Sequence, residues 1–151
     1  MSFLLDLNLL IALAWPSHIH HRLAQVWFRE NRSLGWSTCP LTQTGFIRIS
    51  SNPKFIDGAV SPSEAIGLLQ QVTQAEDHKF WPDTLDFTQG SEMGTLQIIG
   101  HRQVTDAYLL ALAIHHHGKL ATLDQAIAAL IADTTRRAHH LEIIAQPISD
   151  R

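Results

Sequence analysis

Two short apolar runs in this chain each end in an aspartate: Phe3-Leu4-Leu5 stops at Asp6, and Leu120-Ala121-Thr122-Leu123 stops at Asp124. Such a run has the length of a strand buried on both faces, and a carboxylate cannot stay inside unpaired, so each acid is expected at its strand's carboxyl end. If the two strands lie parallel and adjacent, the carboxylates meet. A third acid, Asp106, opens the apolar stretch Ala107 to Ile114 that feeds the second strand. Right-handed crossovers, and the binding of ligands beyond strand ends, put it on the same rim. Three carboxylates in one crevice repel each other, and one or more takes up a proton unless a hard divalent cation keeps all of them ionised. An all-oxygen donor set points to magnesium or manganese rather than zinc. Asn8 and Thr122, each two positions from one of the strand-end acids, are placed to orient carboxylates or bound waters. Taken singly, Asp6 reads as a turn residue, Asp106 as a helix-start acid and Asp124 as an N-cap. Their joint placement is what argues for a site.

The elements that must hold these acids follow from periodicity. Leu9, Leu10 and Leu13 recur at helical spacing after Asp6. Ser17 is read as the N-cap of a helix from His18 to about Asn31, with Leu23, Val26 and Trp27 inward and Arg22, Arg29 and Arg32 off that stripe. A second strand is expected over 34–37, then a helix from about Leu41 to Ile49 with Phe46 and Ile49 inward, stopped at Asn52-Pro53. Ser61-Pro62 opens another helix, with Ile66, Leu69 and Val72 on one face. Lys79-Phe80-Trp81 reads as a short strand, and residues 83–99 as irregular. Lys119 to Leu123 and Leu141 to Ala145 are strands, with a helix over 125–132 between them. Alternation of strands and helices predicts an α/β architecture, a parallel sheet with helices on both faces.

With 151 residues, 45% hydrophobic and 17% charged, one domain with a full core is expected. No signal peptide or membrane span is visible, so the expected location is the cytoplasm. The lone Cys39 excludes an intramolecular disulfide and reads as a small buried apolar residue. A net charge of −3 hides an asymmetry: residues 1–54 carry five cations against two acids, residues 55–100 seven acids against one cation. A polyanionic partner is therefore expected at the amino-terminal third.

Four stretches in this order, Leu4 to Leu13, Thr38 to Ile49, Gly100 to Ala113 and Leu120 to Asp124, resemble the PIN-domain ribonucleases, and more closely the VapC toxins of bacterial toxin–antitoxin pairs. The resemblance implies a PIN-like three-layer α/β fold over residues 1–151, with a central, mainly parallel sheet. It makes Asp6, Asp106 and Asp124 the metal-binding aspartates and Thr122 the polar residue that accompanies them. It further implies a magnesium-dependent endoribonuclease, usually a homodimer, held inactive by a VapB-like antitoxin that inserts a peptide near the site. One position departs from the family pattern, since Gln43 stands where a glutamate is common, and an amide adds no negative charge to a cation. The chemistry that fits is hydrolysis of an RNA phosphodiester by a metal-activated water. Arg48, Arg102, Arg29 and Arg32 are the candidates for phosphate contacts. Trp15, Trp36 and Trp81 are read as core residues before base-stacking ones.

Three competing readings stand beside this one. A PIN-like module that binds RNA or protein but cuts weakly follows from Gln43. An aspartyl-phosphate enzyme with Asp6 as nucleophile wants a second acid close after the first, where this chain has Asn8. A zinc site from His18, His21 and His115-His116-His117 is opposed by geometry, because consecutive positions point in different directions.

Overall fold

The computed structural model describes residues 1–146. Its centre is a five-stranded sheet in the order β3-β2-β1-β4-β5, formed by β1 (Phe3–Leu5), β2 (Trp36–Thr38), β3 (His78–Phe80), β4 (Lys119–Thr122) and β5 (Leu141–Ile143). Every pairing is parallel. Among the described residues seven α-helices accompany it: α1 (Leu7–Ala14), α2 (His21–Asn31), α3 (Pro40–Ser50), α4 (Pro62–Thr73), α5 (Ser91–Gly94), α6 (Val104–His115) and α7 (Thr134–His140).

Strand side chains alternate between two cores, as the pleat requires. Leu4 and Leu120 face the core built by α6, where Leu109, Leu110 and Leu112 are buried, while Phe3, Leu5 and Ala121 face the core of α1, α2 and α3 with Leu9, Trp27 and Phe46. The result is the expected three layers, helices on both faces of a parallel sheet. From β1 the chain builds outward to β2 and β3, then returns to lay β4 on the other side of β1. That reversal opens a crevice at the carboxyl ends of β1 and β4, the switch point where open α/β sheets take ligands.

The structure departs from the expected elements in several places. α2 starts at His21, and Ser17 is exposed and caps nothing. Successive i→i+3 bonds from the amides of His18 to Trp15 O and of His21 to His18 O, with His18 Nδ1 accepting from the His20 amide, hold residues 15–21 in turns that compete with a helix. On α2 the buried residues are Ala24 and Trp27, with Val26 exposed, and on α4 they are Ala65 and Leu69, with Ile66 and Val72 exposed. Residues 125–130 form a 3-10 turn rather than an α-helix, and α7, which was not expected, follows an Asp133 N-cap that accepts from the Arg136 amide. Residues 83–99, expected to be irregular, hold the single-turn helix α5. Trp36 and Trp81 are core residues, as is Cys39. Among the described residues no helix is long and apolar enough to cross a membrane.

Candidate active site

Asp6 follows β1 directly and caps α1. Its Oδ1 accepts from the Leu7 amide at 2.8 Å, and its Oδ2 accepts from Thr122 Oγ1 at 2.6 Å. The same Thr122 oxygen accepts from the Asp124 amide at 3.0 Å, so one hydroxyl at the end of β4 ties both strand-end acids together. The parallel register brings this about, since Leu5 pairs with Ala121 and the Asp6 amide donates to Ala121 O at 2.9 Å. Asn8 Oδ1 accepts from the Leu123 amide at 3.3 Å and holds the start of α1 to the turn after β4. Asp124 Oδ1 accepts from the Ala126 amide at 2.9 Å.

Asp106 lies in the first turn of α6 and completes the group. Asp6, Asn8, Asp106 and Asp124 all line one pocket of about 370 Å³. The carboxylates feel one another there. Burial, then the negative charges of Asp6 and Asp124, push Asp106 up to about 6. Asp6 is 5% exposed, and its carboxyl is raised mainly by burial, against the lowering effect of its Thr122 and Leu7 hydrogen bonds. Among the described residues no three His, Cys, Asp or Glu side chains are already closed round one point. The acids form the walls of an open pocket rather than a cage. Their donor set fits a hard divalent cation, which removes the mutual repulsion and accepts oxygen ligands alone.

The other expected residues divide. Arg48 lines an adjoining pocket of about 430 Å³ that shares Asp6 and Asp106, together with Thr44, Asp83 and Thr105. Gln43 does not join the acids: its Nε2 donates to Thr38 Oγ1 at 3.0 Å, and that hydroxyl also meets His78 Nε2 at 2.8 Å. Arg32 is tied to Asp77, with Nε 2.6 Å from Oδ2, just before β3 and thus at the opposite end of the parallel sheet. With Arg29 it borders a separate apolar cleft formed by Leu10, Leu13, Phe28 and Trp36. Arg102, exposed in the turn before α6, lines neither acid-bearing pocket.

Two groups escaped the sequence reading. Asp83, in the stretch read as irregular, accepts from the Tyr108 hydroxyl at 2.7 Å and faces the Arg48 pocket. Its signal was slight, an acid just after a strand end and Pro82. The other is Phe55, which lines the pocket of the three acids from a loop that carries no motif; His18, which the sequence offers only as a zinc candidate, lines the same pocket. Three of the zinc candidates are engaged elsewhere. His21 Nδ1 is 2.7 Å from Ala12 O, His115 meets Glu92, and the His116 ring stacks on Trp81 at 4.1 Å.

Comparison with known proteins agrees with this architecture. The family model for the PIN domain matches residues 3–133. Ribonuclease VapC39 of Mycobacterium tuberculosis is 44% identical over 128 residues, 85% of this chain and 92% of that protein. Ribonuclease VapC38 of the same species is 42% identical over 84% of this chain and 88% of its own length, and Ribonuclease VapC44 is 37% identical over 92% and 97%. A solved chain from the structure of VapBC2 from Rickettsia felis bound to a DNA fragment from their promoter superposes with a TM-score of 0.61 over 96% of this chain and 100% of its own. At 14% identity that likeness speaks for the fold. A switch-point pocket walled by strand-end aspartates, a matching domain model and near full-length relatives lead to one conclusion: the chain belongs to the PIN domain family, alongside the VapC proteins of M. tuberculosis.

Proposed function

We propose that this chain is a ribonuclease toxin of the VapC type, a divalent-metal-dependent endonuclease that cuts RNA phosphodiester bonds and is neutralised by a VapB-like antitoxin. The observation that carries the reading is the meeting of Asp6, Asp106 and Asp124 in one pocket, in a chain 44% identical to a VapC ribonuclease. Those three carboxylates hold the cation, magnesium or manganese. When bound, such an ion neutralises phosphate charge and lowers the pKa of a coordinated water.

The chain's own residues do the rest. Thr122 keeps the Asp6 carboxylate and the Asp124 backbone in register, and Asn8 fixes the turn beside them. Asp6 Oδ1 accepts from the Leu7 amide and Oδ2 from Thr122, and each oxygen keeps a second lone pair for an ion. Arg48 offers a cation at the rim of the acidic pocket, where the phosphate backbone must approach against like charge. A single unit spanning residues 1–151, acting as a homodimer in the cytoplasm, belongs to the same proposal.

The test is cleavage of a mixed RNA pool with magnesium, manganese or chelator, comparing wild type with Asp6→Ala. Metal-dependent cutting by the wild type alone is expected. Equal cutting by Asp6→Ala, or by the wild type in chelator, would overturn the reading. A second reading, an RNA-binding module with weak chemistry, draws on Gln43, whose amide is engaged with Thr38 so that α3 brings no carboxylate from that position to the pocket. Retained RNA binding without cleavage in magnesium would favour it.

A further inference from the structure

The acid pocket has a second wall, which the chemistry above leaves unused. Besides the carboxylates it is lined by His18, Ile49, Phe55 and Ile56. Phe55 is 70% exposed, although the loop that carries it is well fixed. Asn52 Oδ1 accepts from the Lys54 amide at 3.0 Å, Asn52 O accepts from the amides of Phe55 and Ile56, and Ile56 is buried at 5% in the core of α1 and α3. The loop is thus anchored by its neighbours on either side, while its aromatic ring is presented to solvent beside three carboxylates. His18 supplies a polar group to the same wall. Its Nδ1 accepts from the His20 amide at 3.0 Å, which leaves Nε2–H as the ring's donor in the neutral form.

From this arrangement we infer that Phe55 and His18 form a nucleobase subsite, which receives a base flanking the scissile phosphate of a single-stranded RNA. The inference rests on the nuclease reading above and gives it a means of holding substrate. An aromatic face accepts any base by stacking, and a single N–H donor accepts a carbonyl or ring nitrogen on the base edge. Unpaired RNA suits the site, because only an unstacked base can turn its face to the ring. The phosphate then reaches the acids from one side and the backbone passes Arg48, Thr44 and Thr105 on the other.

The experiment uses the full chain and a short RNA whose cut position has been mapped, with an abasic residue placed in turn at each position flanking the cut. Phe55→Ala is expected to raise KM about tenfold with kcat little changed, since a stacked base is held alike in the ground and transition states. Phe55→Trp restores KM, and His18→Ala raises it while His18→Gln, which keeps a donor, recovers part. At one flanking position the abasic residue slows the wild type, and that penalty disappears in Phe55→Ala. An unchanged KM in Phe55→Ala, or the same abasic penalty in both proteins, overturns the subsite and leaves the nuclease standing. A folded wild type that cuts no RNA in magnesium removes both. Thermal melting and magnesium calorimetry on Phe55→Ala, both expected to match wild type, separate lost substrate contact from a disturbed site.

Discussion

The hydroxyl of Thr122 does the work of two groups at once, because it donates to Asp6 and accepts from the Asp124 amide. Thr122→Val keeps the shape and removes both bonds, which should weaken magnesium affinity by about ten- to a hundredfold in calorimetry. An unchanged affinity would take Thr122 out of the site. Asp106 supports a prediction about pH. Its carboxyl is raised from 3.8 to about 6, so the folded metal-free protein holds that proton more tightly than the unfolded chain. Its contribution to stability is full below pH 3.8 and is lost as pH rises through about 6. In chelator, Asp106→Asn should melt higher than wild type at neutral pH, and the difference should shrink towards pH 4; a lower melting point at pH 7 would contradict this. Residue types alone made the acids legible, because a buried strand seldom closes on a charge unless that charge has a partner to meet. They did not disclose Gln43's direction, which depends on the phase of α3, nor the partner of Arg32, which lies 45 positions away at Asp77.

Elements were legible where an apolar period or a breaker marked them, as in the central strands, α3, α4 and α6. α7 was missed because Thr134 to His140 buries no residue and so carries no stripe. Its start is set by Asp133 instead. Between α6 and β4 the chain must pass very close to the first strand. A Cβ on Gly118 would lie 2.7 Å from Ser2 O and 3.1 Å from the Trp81 ring. The backbone oxygen cannot step aside cheaply, so Gly118→Ala should cost about 1–3 kcal/mol in chemical denaturation. A loss under about 0.5 kcal/mol would mean that the first strand gives way at this approach. At the other end of the sheet, Arg32→Ala breaks the pair with Asp77. That exposed pair is worth about 1 kcal/mol or less, and RNA cleavage should be unaffected. A loss of cleavage with stability intact would restore Arg32 as a phosphate contact.

At the scale of the whole molecule, strand order decides the chemistry. Outward growth from β1 to β3, followed by return to β4, makes β1 the centre of the sheet and puts Asp6 and Asp124 on neighbouring strand ends. Alternating elements predicted a parallel sheet, while the adjacency of the two strands that end in aspartates entered the sequence reading only as a condition, which the β1–β4 pairing meets. The finer packing, including the wall made by His18 and Phe55, depends on contacts between distant segments and was not legible. An ion that binds only the folded pocket should stabilise the whole domain. Magnesium at a hundred times its dissociation constant adds about 2.7 kcal/mol, read as a rise in melting temperature that Asp6→Ala abolishes. No rise in the wild type would argue against a folded-state ion site. The same strand order sets a schedule for the growing polypeptide. Until residues 119–122 have emerged and docked, β1 has one bare edge and Asp124 has no place beside Asp6. On the reading proposed above, a polypeptide in which β4 has not yet paired with β1 lacks Asp124 at the pocket and so has no complete ion site.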